Sequence, residues 1–371
     1  MSCRWLAALA LLTACDGVET RDASFVDASS SSDAAPPDSG ATPLPDASPP
    51  PSDAGVTPEG WCAMGDTALG RVASALGAGE WGELDVHESL PAAMLHHHLT
   101  SWADTGVWNP ITRRVQWVGS PGSCCADPSA YELLLYDVAT DTWAVEETPW
   151  PDDTGHAYDG NALDPDTGIH YFARSSSIQG WDGEGWTPVP DPGRHPIAVG
   201  LTWFASTSSL VLVGSGVSIL EDGAWRRVEA PDVSFGSYHQ FAEYNPVHDV
   251  AWLGAGNGAV TRSAVLRPDG SLTQLADAPT TLNGDGRSMK TYDPVTGAFV
   301  VQNGEEDRWW TFDISSDTWT EITETVRAAR PETWSRSAHD FVVPIDDCGV
   351  LFYFQRTRDF EYRLFVYRHA A

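Results

Sequence analysis

The chain has 371 residues, a formal charge of −31 and 17 Trp residues. That balance excludes nucleic acid as a partner, because a duplex is bound mainly through Lys and Arg neutralising its phosphates. It equally excludes docking on anionic lipid through a basic patch, and no apolar run reaches the roughly 20 residues of a membrane-spanning helix. What remains is a soluble extracytoplasmic head, expected as a monomer held apart from its copies by self-repulsion.

Residues 1–15 have the form of a short export signal. Arg4 supplies the positive start, Trp5 to Leu12 the apolar stretch, and Leu12-Thr13-Ala14-Cys15 the cleavage site. The last four residues resemble the lipobox of bacterial lipoproteins, which implies lipidation at Cys15; the alternative is an ordinary signal peptide cut elsewhere. Asp16 resembles an inner-membrane retention signal of enteric bacteria, and the choice between periplasm and cell surface stays open. Residues 16–58 are Pro, Ser, Ala, Asp and Thr with almost no large apolar side chains. Such a stretch cannot bury enough surface to offset its ordering entropy, so it reads as a disordered linker. Its average reach is roughly 35–40 Å, enough to hold a head clear of a membrane.

From residue 59 the composition turns globular. Asp66 to Leu76 is predicted as a helix, with Asp66 as N-cap, Leu69, Val72 and Leu76 on one face, and Gly77 as stop. Everything after it reads as strand and turn. One phrase occurs twice: Tyr136-Asp137-Val138-Ala139-Thr140-Asp141-Thr142-Trp143 and Phe312-Asp313-Ile314-Ser315-Ser316-Asp317-Thr318-Trp319. Each copy reads as a strand end, a polar turn closed by Asp, Ser and Thr on their own backbone, and a second strand opening on Trp. Worn copies end at Trp186, Trp225 and Leu272, and the units are marked by Trp143, Trp186, Trp225, Leu275 and Trp319. The spacing of roughly 40–50 residues, with four short strands per unit, is that of propeller blades.

A second repeat runs out of phase. Asn109-Pro110, Asp164-Pro165, Asn245-Pro246 and Asp293-Pro294 open turns, each followed by an apolar strand, and Ser206 to Ser209 is a variant. Each unit therefore has an inner hairpin, a loop and an outer hairpin. The last unit lacks its outer strand, and Gly79 to Leu84, with Trp81, has the missing form. A six-bladed β-propeller closed by an N-terminal strand follows, since closure removes the free sheet edge. The unit resembles a kelch repeat, best at 136–143 and 312–319, and the domain over 79–371 resembles the kelch and galactose-oxidase-like propellers. The paired glycines of that family are mostly single here, as at Gly119, Gly214, Gly254 and Gly304.

Beyond Cys3 in the signal and Cys15, four cysteines remain: Cys62, Cys124, Cys125 and Cys348. Three pairings are open to them. Propeller topology puts Cys348 in an inner hairpin turn, with Cys62 entering the closing strand from the same side, and Cys124 and Cys125 on the opposite face. Cys62–Cys348 and a vicinal Cys124–Cys125 bridge are the favoured pairs, the alternative being that the neighbours stay reduced.

The inter-blade connections are rich in functional groups. They carry His96 to His98, Trp150, Asp152, Asp153, His156, Arg194, His195, Tyr238, His239, Asp285, Arg287, Arg330, Glu332, Trp334, Arg336 and His339. Arg and aromatic side chains favour binding surfaces. Of these, Trp150, His156, Arg194, His195, Tyr238, His239, Arg287, Arg330, Trp334, Arg336 and His339 are the candidate ligand-binding set; the competing reading has each His bonding a neighbouring blade. Tyr238-His239 resembles the Tyr-His pair of the radical copper oxidases, but the rest of that motif and its appended domain are missing. Ser218 to Trp225 approaches a sialidase box with the wrong spacing. Similarity to kelch-type sialic-acid mutarotases implies Glu332, Arg336 and His339 as an acid, base and orienting set, since His titrates near neutrality beside a carboxylate. No cofactor or metal is called for. The expectation is a tethered envelope propeller that binds a glycan or protein through this loop face, with a sugar-directed enzyme as the alternative and a structural envelope protein as the third reading.

Overall fold

The turns are built by the side chains that the repeats contain. Asp137 Oδ1 accepts from the amides of Ala139 and Thr140 at 3.0 and 3.2 Å, and Asp313 Oδ1 from those of Ser315 and Ser316 at 2.9 and 3.4 Å. The second Asp of each phrase, Asp141 or Asp317, takes the left-handed conformation, φ 55° and 53°, that a short polar residue tolerates best after glycine. The Trp then stacks on the aromatic residue opposite. Trp143 faces Tyr136 at 4.8 Å and Trp319 faces Phe312 at 4.5 Å, each in register across the hairpin.

The computed structural model describes residues 60–371, apart from 86–89, 91–102, 104, 120–130, 151–156, 175–176, 194–198, 231, 237, 257–259, 285–287, 305, 335–340, 357–361 and 370–371. The described strands form six four-stranded antiparallel sheets. β1 is Trp81–Leu84. Blade 1 is Val107–Asn109, Arg114–Gly119, Glu132–Asp137 and Thr142–Glu147 (β2–β5). Blade 2 is Asn161–Leu163, His170–Arg174, Ser177–Trp181 and Trp186–Pro188 (β6–β9). Blade 3 is Gly200–Phe204, Ser209–Val213, Val217–Glu221 and Ala224–Arg227 (β10–β13). Blade 4 is Gln240–Asn245, Val250–Ala255, Ser263–Leu266 and Leu272–Gln274 (β14–β17). Blade 5 is Ser288–Tyr292, Phe299–Asn303, Arg308–Asp313 and Thr318–Glu321 (β18–β21). Blade 6 is Phe341–Ile345, Val350–Arg356 and Tyr362–Tyr367 (β22–β24), completed by β1.

The innermost strands β2, β6, β10, β14, β18 and β22 contact one another in that cyclic order, and β22 meets β2, so the ring is closed. The expected six-bladed propeller is the fold. β1 pairs with β24 from Trp81↔Tyr367 to Leu84↔Leu364, and the Trp81 ring stacks on Tyr367 at 4.4 Å. That is the same cross-strand aromatic pair as in blades 1 and 5, contributed from the far end of the chain.

Two helices seal this seam. α1 is Trp61–Met64 and α2 is Ala68–Ala75. Trp61, Cys62, Leu69 and Ala73 are buried in one cluster with Trp108, Trp117 and Tyr136 of blade 1 and Phe341, Phe352 and Phe354 of blade 6. The disulfide Cys62–Cys348 ties α1 to the inner turn of blade 6, with Cα atoms 5.5 Å apart. Two expectations are corrected. The N-cap of α2 is Thr67, whose Oγ1 accepts from the Gly70 amide at 2.9 Å, rather than Asp66. The chain after α2 is also not purely strand and turn, since α3 runs Thr323–Ala329.

Candidate functional site

Every inner hairpin turn lies at one end of the central channel. Asn109 Oδ1 accepts from the amides of Ile111 and Thr112, which closes the turn, and its Nδ2 donates to the Gly168 carbonyl of blade 2 at 3.0 Å. Asn245 repeats this between blades 4 and 5, with Nδ2 to Gly297 O at 2.7 Å. The recipient glycines have φ of +75° and +73°, a backbone that presents the carbonyl to the neighbouring blade. At these two junctions the Asn turns are stapled to their neighbours.

The other end of the channel is crossed by chain. Asp159, buried just before β6 of blade 2, bonds the Thr105 hydroxyl of blade 1 and accepts from the Ala242 amide of blade 4 at 2.5 Å. Its carbonyl accepts from Leu201 N of blade 3 at 2.9 Å. A residue of blade 2 reaches blade 4, which is not its neighbour, only by lying across the channel. Beside it Tyr158 packs on the His239 ring at 4.8 Å, and the His239 carbonyl accepts from Gly284 N.

Between Asp159 and the turns lies a cavity of about 450 Å³. That is within the size of small-molecule sites. Its walls are the ends of the innermost strands: Trp108, Leu163, Trp203, Tyr244, Tyr292 and Pro344 each stand just before the turn of their own blade. Prolines 165, 246 and 294 of the turns rim it. The charged groups on its lining are Glu243 and Asp346; no Lys, Arg or His lines it among the described residues.

The two carboxylates flank one tyrosine. Tyr292 Oη donates to Asp346 at 2.8 and 3.0 Å from its two oxygens, and Thr291 Oγ1 donates to Glu243 Oε1 at 3.0 Å. Burial pushes the Asp346 carboxyl up to about 6, against the Tyr292 hydrogen bond, which favours the anion, and with help from Asp347. Burial, and then the charges of Asp346 and Glu243, hold the Tyr292 phenol well above its ordinary range. Tyr244 is pushed to about 12 by burial and by its hydrogen bond to Asp249 at 2.9 Å. Both phenols are neutral donors at any physiological pH.

Several residues of the sequence-derived set serve packing. Trp150 is buried between Phe172 and Trp186, its Nε1 donating to Ser177. Trp334 is buried against Trp81, Trp309, Tyr353 and Phe365. Arg330 forms a two-pronged pair with buried Asp307, which Arg327 also approaches at 3.3 Å. Glu332 is exposed. Tyr238 is exposed and His239 half-buried, both with positive φ, at the crossed end of the channel. His156, Arg194, His195, Arg287, Arg336 and His339 lie outside the described residues, as do Cys15, Cys124, Cys125, His96 to His98, Asp152, Asp153 and Asp285.

The sequence reading missed the cavity residues, although a signal was present. An aromatic residue immediately precedes Asn-Pro or Asp-Pro at Trp108, Tyr244 and Tyr292. Once the turns are aligned, these fall at one height of the channel.

No protein-family model matches the chain, and no curated protein matches it. Solved structures do resemble it. An auxiliary nutrient-binding protein from Bacteroides thetaiotaomicron is 10% identical, covering 72% of this chain and 68% of that one, with a TM-score of 0.50. A protein of unknown function from the same organism gives 11%, 80%, 74% and 0.49. A catalytically inactive virginiamycin B lyase from Staphylococcus aureus, with quinupristin, gives 13%, 77%, 87% and 0.47. At these identities the likeness is one of fold alone.

Proposed function

We propose that this chain is a small-ligand-binding propeller of the kelch-like type, carried at a bacterial cell envelope on a lipid attached to Cys15 and on the linker 16–58. The observation that carries the reading is the cavity: ligand-sized, walled by aromatic side chains from separate blades, and backed by Asp159. The nutrient-binding function in the name of one structural neighbour is in keeping with it. The mouth among the inner hairpin turns, rather than the inter-blade face, is the entrance this reading favours. Binding without turnover is the expected behaviour, because the groups on the wall are neutral phenols and carboxylates already engaged with protein donors. An array of glycans and small metabolites, probed with the wild-type protein and with Trp203→Ala, tests it. Saturable binding that Trp203→Ala weakens about tenfold or more is expected, a typical loss for an aromatic wall in a binding site. Binding that ignores Trp203→Ala but is lost in Tyr238→Ala would move the site to the opposite face.

A further inference from the structure

The main chain of the wall narrows the ligand. In an antiparallel pair, alternate residues turn both N–H and C=O to the partner strand, and those between turn both away. Asp164 N donates to Ile169 O at 3.0 Å where β6 joins β7, so its neighbour Leu163 turns away from β7. Leu201 N donates to Asp159 O rather than to β11, so Trp203, two residues on, also turns away from its sheet. Both β6 and β10 are edge strands at the channel, and both residues line the cavity. Their N–H and C=O groups therefore face the channel as strand edges.

Two other blades put the same edge to different use. Tyr244 N, on β14, donates to Thr202 Oγ1 at 3.2 Å. Pro344 holds the matching place on β22 and has no N–H, which a strand tolerates only at an edge. Leu163 and Trp203, in adjacent blades, keep their amides, and neither amide has an acceptor among the described residues. The indole N–H groups of Trp108 and Trp203, on the same lining, are likewise without an acceptor there. The wall has donors to spare, whereas no Lys, Arg or His among its described residues answers an anion.

We propose that the cavity takes an uncharged aromatic amide, the size of one amino acid capped at both ends, laid as a short added strand along the edges of Leu163 and Trp203. The proposal rests on the reading of the cavity as the binding site. A strand edge offers an N–H and a C=O at fixed spacing, and a capped residue offers the same pair in return, so the two join as neighbouring strands do. The aromatic part follows from Trp203, half-buried and held flat by Tyr171, ring centroids 5.5 Å apart at 6°.

The test is calorimetry on the full-length protein with three probes. They are N-acetyl-L-phenylalanine methylamide, the same compound with both amide nitrogens fully methylated, and methyl α-glucoside. The first is expected to bind saturably, and loss of its two N–H groups to weaken it about tenfold. The glucoside is expected to bind more weakly than the first probe. Leu163→Pro removes one channel-facing N–H and copies the residue that blade 6 already carries at Pro344. It is expected to bind the first probe about fivefold more weakly than Leu163→Ala does. The methylated probe needs no variant, so that comparison stands even if Leu163→Pro fails to fold. Equal affinities for the first two probes, both lost in Trp203→Ala, would overturn the main-chain recognition and keep the cavity as the site. Binding of the glucoside alone, or of no probe at millimolar concentration, would overturn the amide proposal, leaving the array with Trp203→Ala to judge the cavity. Binding of the amide that ignores Trp203→Ala would overturn both readings.

Discussion

Asn245 does two jobs with one amide: its oxygen closes the turn of blade 4, and its nitrogen bonds the Gly297 carbonyl of blade 5. Aspartate can do only the first. Asn245→Asp should therefore keep the turn yet cost about 1–2 kcal/mol for the lost inter-blade bond and the carboxylate left facing a carbonyl. A fall of roughly 2–4 °C in melting temperature is expected, and an unchanged value would show that the staple carries no stability. His170 makes a pH prediction. Its Nε2 lies 2.9 Å from Asn161 Oδ1, an acceptor, so the ring is the neutral Nε2–H form, and burial lowers its pKa to about 3. The unfolded chain takes up a proton below about pH 6.5 that the folded chain refuses, so this residue costs stability as pH falls from 6.5 towards 3. Asp346 acts in the opposite sense. Its folded pKa, raised to about 6, lets the folded state bind a proton first, so it adds stability as pH falls through 6 towards 4. The wild-type profile is a sum, and the variants separate it. Urea melts should show His170→Gln less stable than wild type at pH 7.5, with the gap closing by pH 4. A constant gap would mean that His170 is protonated in the fold. The turn aspartates were legible in the sequence because an Asx turn is a local pattern. The inter-blade role of Asn was not, because its partner lies in the next blade.

At the scale of elements, the borrowed strand was the most legible feature of the fold. Trp81-Gly82-Glu83-Leu84 carries the outer-strand form, and a closed ring demanded one more strand. The pairing Cys62–Cys348 followed from the same topology, since both cysteines sit at the hairpin-turn end. α3 was not legible: of Thr323–Ala329 only Thr323 and Val326 are buried, so no apolar stripe marks it, and it lies beside Asp307 through Arg327 and Arg330. Trp334 was legible as a large residue in a loop but not as a core residue, because its partners come from blades 5 and 6 and from β1. The closure makes a measurable claim. Cys62→Ser opens a crosslink spanning 286 residues and should destabilise by roughly several kcal/mol on the chain-entropy estimate. Deleting 16–58 should leave the melting temperature nearly unchanged. If Cys62→Ser melts with wild type, the disulfide is not what holds α1 at the seam.

For the whole molecule, the ring was readable from the period of its Trp and Pro turns, whereas the cavity was not. Its wall takes residues from all six blades, far apart in sequence, and they meet only when the register of every inner hairpin is known. Composition drew attention to the inter-blade loops, where His, Arg and Trp gather. There, Trp150, Arg330 and Trp334 are occupied with packing and ion pairing. Among the described residues, the cavity lies towards the opposite end. The most direct measurement is amide hydrogen exchange of the protein with and without its strongest array ligand. Slowed exchange is predicted at Leu201–Phe204, Ala242–Asn245 and the turns that follow them. Protection confined to the inter-blade connections, at 232–239 and their counterparts, would contradict the placement of the site.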